Sequence, residues 1–158
     1  MITRRIRTSR FLKLTLSYNN REIVMQQQRN DIVVEKEMAL CAAGALYGKQ
    51  GIDIKLFHVT ESTIVADYYV ICSARSSTHI KALADEVCYK LSLAGREASH
   101  VEGRDGGTWV LVDLGGVIVH IFSREARDFY NLERLQGEET EIDLTEFFRL
   151  EDEKNTKI

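Results

Sequence analysis

Gly115 and Gly116 stand between two unbroken apolar runs, Trp109–Leu114 and Val117–Phe122. Two adjacent glycines supply the positive φ angles that a two-residue hairpin turn requires, so the runs read as paired antiparallel strands. With a two-residue loop, facing residue numbers sum to 231. Leu114 then faces Val117, Val112 faces Val119, and Val110 faces Ile121, a wholly aliphatic side suited to packing under helices. The opposite side pairs Trp109 with Phe122, Leu111 with His120, and Asp113 with Ile118. An antiparallel sheet with one wet face places polar residues there instead. This second face is therefore either covered by a further element, making Trp109 plain core, or it is an exposed patch for a partner. Tryptophan is among the residues that dominate interface energetics, which makes the second reading worth testing.

The rest of the chain supplies elements that can surround this hairpin. A first helix is expected from about Val33 to Tyr47, with Met38, Ala42 and Ala45/Leu46 on one stripe and Gly48 near its end. Strands follow over Asp53–Val59 and Asp67–Cys72, joined by a polar turn at Glu61–Thr63. Ser76 and Ser77 are cap candidates for a helix over Thr78–Ala94, and Gly95 fits the position just past its end. Its stripe is Ile80, Leu83, Ala84, Val87 and Leu91. A short strand at Ser99–Glu102 precedes the turn Gly103–Gly107, and Ser123 caps a final helix through Leu135. The order predicts an α/β (α+β) fold, a mixed β-sheet flanked by helices.

Charge divides the chain into three parts. Residues 1–24 carry six basic side chains and one acid, a local +5, whereas residues 137–158 carry three basic and eight acidic, a local -5. We accordingly expect a basic, flexible extension over 1–32, a domain over 33–136, and an acidic tail over 137–158. The Arg-, Ser- and Thr-rich head has some features of an organellar presequence, but an extension on a cytoplasmic protein is the simpler expectation. No stretch approaches the roughly 18–20 consecutive apolar residues of a membrane span, so no membrane partner is expected. Basic residues beyond the head are scattered and outnumbered by acids, so no specific nucleic-acid contact is expected of the domain. Cys41, Cys72 and Cys88 are odd in number, widely spaced and without a Cys-x-x-Cys pair, which suits reduced, buried thiols.

Catalytic patterns are missing from the sequence. Glu102–Gly107 lacks the spacing of a phosphate loop and precedes a strand, so it reads as a turn. His58, His79, His100 and His120 are too dispersed to suggest a metal site. Two-metal phosphoryl transfer wants paired acids on one strand face, and Asp67 and Asp113 each stand alone on theirs. Asp113 has a structural alternative, anchoring the glycine turn through backbone amides. His120 likewise has the alternative of a satisfied core histidine.

Several segments in order then become informative together. They are Asp67–Ser73, Ser76–His79, Val101–Gly103, Trp109–Gly115, Val117–Phe122 and Arg127–Leu135. In this series the chain resembles the ribosomal silencing factor family, RsfS, also called Iojap or YbeB, over about residues 36–135. Ala66, Ala74, Arg75 and Gln136 depart from residues frequent in that family, the last from a tryptophan.

The resemblance implies a nucleotidyltransferase-like fold without the catalytic acids, no cofactor and no enzymatic activity. It implies binding to the large ribosomal subunit at ribosomal protein L fourteen, blocking small-subunit joining and repressing translation when nutrients are scarce. The implied partner surface is Trp109, Leu111, Asp113, Ile118, His120 and Phe122, with Trp109 and Phe122 as apolar anchors and Asp113 and His120 as hydrogen-bonding groups. Asp67, Glu102 and Tyr130 are family-motif residues with structural alternatives: the acids hold turns, and Tyr130 holds the last helix on the sheet. A homodimer of the free chain stays open, as does the alternative of a nucleotidyltransferase-like enzyme acting on a nucleotide or RNA end.

Overall fold

A computed structural model describes residues 10–59, 66–137 and 140–157. Its elements, in order, are α1 (Arg10–Gly48), β1 (Ile52–His58), β2 (Tyr68–Ala74), α2 (Ser77–Leu93) and β3 (His100–Glu102). They continue with β4 (Trp109–Asp113), β5 (Val117–Ser123), α3 (Arg124–Tyr130), the 3-10 turn η1 (Leu132–Leu135), β6 (Glu141–Ile142) and α4 (Thr145–Thr156). The strands form one mixed sheet in the order β3-β4-β5-β2-β1-β6, in which β2 and β5 run parallel. The expected fold class is therefore the observed one.

The hairpin register is the one the glycine turn dictates. Trp109 pairs with Phe122, Val110 with Ile121, Leu111 with His120, Val112 with Val119, and Asp113 with Ile118. The aliphatic face of the hairpin is completely buried, and it packs with the stripes of α1 (Met38, Ala42, Leu46) and α2 (Ile80, Leu83, Val87, Leu91) in one core. Both ends of α2 form as the sequence leads one to expect. The Ser76 hydroxyl accepts from the His79 N–H at 3.0 Å. Beyond the other end, Gly95 has φ +84, and the Arg96 N–H donates back to the Leu91 carbonyl at 2.8 Å, closing a Schellman motif.

Three expectations need correction. First, α1 begins at Arg10, far before the expected start at Val33, so residues 10–32 are helical. That stretch contains neither glycine nor proline, and an apolar-stripe criterion locates only the part of a helix that is buried. Second, the final helix is broken at Asn131, whose φ of 44 ends α3 and starts η1. Third, residues 137–158 are not a separate tail. The chain divides into units Met1–Val34 and Glu35–Ile158, and the second unit includes this segment. β6 pairs with β1, Leu144 is buried, and Phe147 and Phe148 pack on the core. The Phe148 ring stacks on Tyr47 at 4.3 Å, and the Tyr47 hydroxyl donates to Asp152 at 2.9 Å. The acidic composition hid an apolar triplet at helical spacing, Leu144, Phe147 and Phe148. The expected turn at Glu61–Thr63 lies outside the described residues.

The thiols also differ from expectation. Cys72 is buried, and desolvation pushes it up to about 12, whereas Cys41 and Cys88 are only half-buried.

One glycine is fixed by both conformation and space. Gly103 has φ +85, and a Cβ there would lie 2.1 Å from the Trp109 carbonyl oxygen. This close approach sets the turn that carries β3 into β4. Gly103→Ala is expected to destabilise the fold by about 2–4 kcal/mol, from left-handed strain plus forced displacement of backbone. The measurement is a shift of the urea midpoint at unchanged slope. An unshifted midpoint would show that the turn relaxes freely.

Candidate functional site

The second face of the sheet is where the two sequence readings must be separated. Register places on it Glu102 of β3, then Trp109, Leu111 and Asp113 of β4, Ile118, His120 and Phe122 of β5, and Tyr69 and Ile71 of β2. One end of this face is covered. Phe57, Val59, Ile71 and Phe122 form a small second core beneath Ala126 of α3 and Leu132 of η1. The other end is open. Tyr69, Trp109, Leu111 and His120, with Leu132, Leu135 and Gln136, line a cleft of about 440 Å³. Both readings therefore hold, each for part of the face.

Burial sorts the expected partner residues. Trp109, Leu111 and Asp113 are half-buried and reach the surface. Phe122 is 1% exposed and so lies beneath the surface rather than at it, and Ile118 and His120 are each 5% exposed. Phe122 is the floor on which Trp109 lies, with ring centroids 5.0 Å apart. Tyr130 is more exposed than expected of a purely structural residue, and its ring packs on Trp109 at 4.7 Å. Phe129, 81% exposed, sits edge-on to Tyr130 at 5.1 Å, and Leu135 is 72% exposed. Leu135 lines the cleft and Phe129 lies beside Tyr130, and the sequence reading singled out neither of them.

The motif acids have local contacts. The Asp113 carboxylate accepts from the Gly115 N–H at 2.9 Å, holding the glycine turn. The Asp67 backbone N–H donates to the Gly116 carbonyl and its carbonyl accepts from the Val59 N–H, each at 2.8 Å. Glu102 pairs with His100 at 2.7 Å on the exposed strand β3. Among the described residues, no group of three or more His, Cys, Asp or Glu side chains is arranged to hold a metal ion.

His120 is the unusual group. It is 5% exposed and is packed against by Tyr69, Trp109 and Phe122. The indole N–H of Trp109 donates to its Nδ1 at 3.2 Å, so in the neutral ring the proton resides on Nε2. Burial holds its pKa down to about 4. A histidine depressed below its unfolded value of about 6.5 is neutral in the fold but takes up a proton when unfolded. Its contribution to stability is therefore complete above pH 6.5 and is lost as pH falls towards 4. The loss expected from this residue is about 3 kcal/mol between pH 7 and pH 4. Denaturation at both pH values should show a smaller acid loss for His120→Phe than for the parent chain, and equal losses would contradict this assignment.

Arg127 is a buried charge to which the sequence reading gave no role. It is 7% exposed and pins α3 to the bulged start of β1. Its Nη1 donates to the Asp53 carbonyl at 2.7 Å and to the Ser73 hydroxyl at 3.0 Å. Glu133 accepts from its Nε, and the Asp53 carboxylate lies 3.3 Å from Nη2. Asp53 itself adopts φ 49 to turn its carbonyl toward this guanidinium. Arg127 thus fixes the helix that covers one end of the second face and carries Phe129 and Tyr130 at the other.

An open aromatic cleft on a mixed sheet is not diagnostic alone, but the chain carrying it is recognisable. The family described as "Ribosomal silencing factor during starvation" matches residues 33–158. The chain belongs to the ribosomal silencing factor family. The Bacillus subtilis ribosomal silencing factor RsfS is 37% identical over 110 residues, covering 70% of this chain and 93% of that protein. A crystal structure of a Chromobacterium violaceum protein superposes with a TM-score of 0.64 at 35% identity, over 65% of this chain and 86% of that one. The chloroplastic protein Iojap of maize is 32% identical over 94 residues, covering 58% of this chain and 40% of that protein. The family match runs through Ile158, so β6 and α4 fall within it, beyond the span over which the sequence resemblance was drawn. Among the RsfS-like departures, Gln136 lines the cleft, so it bears on the open face as well as on the end of η1.

Proposed function

We propose that this RsfS family member docks on the large ribosomal subunit through its aromatic cleft, at ribosomal protein L fourteen, and sterically blocks small-subunit joining. The consequence would be lower translation under nutrient limitation, with the chain acting in the cytoplasm by occupancy and without turnover. The observation that carries this reading is the open cleft at Tyr69, Trp109 and Leu111, beside a hairpin whose opposite face is fully buried. Half-buried aromatic and aliphatic side chains around a concave site are what a protein partner's anchor residue needs. None of the cleft's lining residues is Lys or Arg, so phosphate contacts have no support there. The chain's net charge of -3 favours encounter with a basic ribosomal protein through long-range steering. The same cleft could pair two free copies, in which case the ribosome would compete with the homodimer.

Sucrose-gradient sedimentation of separated subunits with the purified chain tests the partner. Comigration with the large subunit and not the small one is expected. Comigration with neither, or magnesium-dependent nucleotide turnover lost on Asp113→Ala, would favour the enzymatic alternative.

A further inference from the structure

Charge and compactness divide the chain at the same place. Its two compact units are Met1–Val34 and Glu35–Ile158. The first carries seven basic and two acidic side chains, a net +5, and the second fourteen basic and twenty-two acidic, a net -8. Arg4, Arg5, Arg7, Arg10, Lys13 and Arg21 all precede the first acid, Glu22. Helix α1 begins at Arg10, so the positions of Arg10, Lys13, Arg21 and Arg29 are spread along roughly 29 Å of one helix axis. Every described residue from 24 to 34 is exposed, Arg29 among them. The aromatic cleft leaves this cationic stretch without a role, because none of the residues lining the cleft is Lys or Arg.

We propose that the first turns of α1 bind RNA, contacting the phosphates of ribosomal RNA while the domain docks through its cleft. Which RNA is met rests on the docking reading above, but the affinity of the helix for RNA does not. A string of cations almost without acids fits a polyanion, since each phosphate it neutralises releases condensed counterions. Asn and Gln are frequent between residues 19 and 30, and their amides are a common class of phosphate and sugar contact. Two other occupants fit less well. Leu12, Leu16, Ile23 and Val34 recur at helical spacing, but Asn19, Gln27 and Asn30 occupy the turns between them. These amides interrupt the continuous apolar stripe that a coiled-coil partner or a bilayer surface requires. A unit of net -8 is repelled by RNA, so a +5 helix also offsets the repulsion that the domain meets at the ribosome.

The test compares the full chain with Arg10→Gln/Lys13→Gln/Arg21→Gln, which removes three charges and keeps good helix formers. Binding to protein-free large-subunit RNA and to whole large subunits is followed from about 50 to 500 mM salt. The parent chain should bind the free RNA, and the triple variant should bind it at least about tenfold more weakly at the low-salt end. On whole subunits, the slope of log affinity against log salt should flatten by about 2–3 in the triple variant. Arg10→Lys/Arg21→Lys, which preserves charge, should keep the parental slope, and a flattened slope there would contradict a phosphate contact. If circular dichroism shows that the triple variant loses helix, Arg21→Gln alone replaces it, with a flattening of about 1. A parent chain that does not bind the RNA, or a neutralised variant with the parental slope, would overturn the proposal. Tighter binding to phosphatidylglycerol vesicles than to the RNA would assign the helix to a membrane surface and overturn it as well. Trp109→Ala keeps the two readings separable: it should weaken subunit binding at unchanged slope and leave binding to free RNA intact. Parental subunit affinity in that variant would count against the docking face alone.

Discussion

Trp109→Ala is expected to weaken binding to the large ribosomal subunit by roughly 30- to 1000-fold, the range of an interface hot spot worth about 2–4 kcal/mol. Trp109 earns this expectation by position. It is half-buried, backed by Phe122 at 5.0 Å and flanked by Tyr130 at 4.7 Å, so its ring is already ordered before a partner arrives. Binding therefore costs little further side-chain entropy, and the contact keeps most of its gross value. The same packing means the substitution also costs stability, and a domain of ordinary stability survives a loss of about 2 kcal/mol. Circular dichroism melts separate the two effects. A folded Trp109→Ala chain that still pellets with the subunit at parental affinity would remove Trp109 from the interface. A chain that merely unfolds would count against the hot-spot assignment while leaving the family membership untouched.

A large stability effect is expected at Arg127. Arg127→Met should cost about 3 kcal/mol, because it strands the Ser73 hydroxyl and the Asp53 carbonyl beside an apolar side chain. It also removes the partner that holds Asp53 at φ 49, so the bulge at the start of β1 loses its clamp. Glu133→Gln should cost clearly less, since Asp53 continues to face the guanidinium at 3.3 Å. Urea denaturation of both variants checks the order, and a Glu133→Gln loss equal to that of Arg127→Met would show that Glu133 alone carries the pairing. At a temperature where Arg127→Met remains folded, its affinity for the large subunit should be nearly parental. The residue positions α3 and does not line the cleft.

The sequence made the hairpin legible in full because its information is local. Two glycines fix the turn, the turn fixes the register, and the register assigns every side chain to a face. Helix α2 was legible for the same reason, with a serine cap, an apolar stripe and a glycine stop within a single stretch. What escaped notice depends on contacts distant in sequence. Arg127 reads as an ordinary helical arginine until β1 brings Asp53 beside it, 74 residues away. Phe122 was taken for an anchor because alternation shows which face a residue occupies but not what covers that face. Leu132 of η1 and Ala126 of α3 supply the cover, and no period in the sequence announces them. The acidic stretch after Gly137 misled in another way. Net charge describes the wet side of α4, while Leu144, Phe147 and Phe148 describe its packed side. Charge accordingly spoke to partners and solvent rather than to where the domain ends.

The central claim is steric occupancy of the large subunit by the Trp109 cleft, and subunit joining tests it most directly. Purified large and small bacterial subunits are mixed at joining magnesium concentration, and light scattering follows formation of the whole ribosome. The full chain added to the large subunit first should lower the joined fraction in proportion to occupancy. Trp109→Ala at equal concentration should leave joining near its untreated level. Undiminished joining with the large subunit demonstrably saturated by the parent chain would contradict the account.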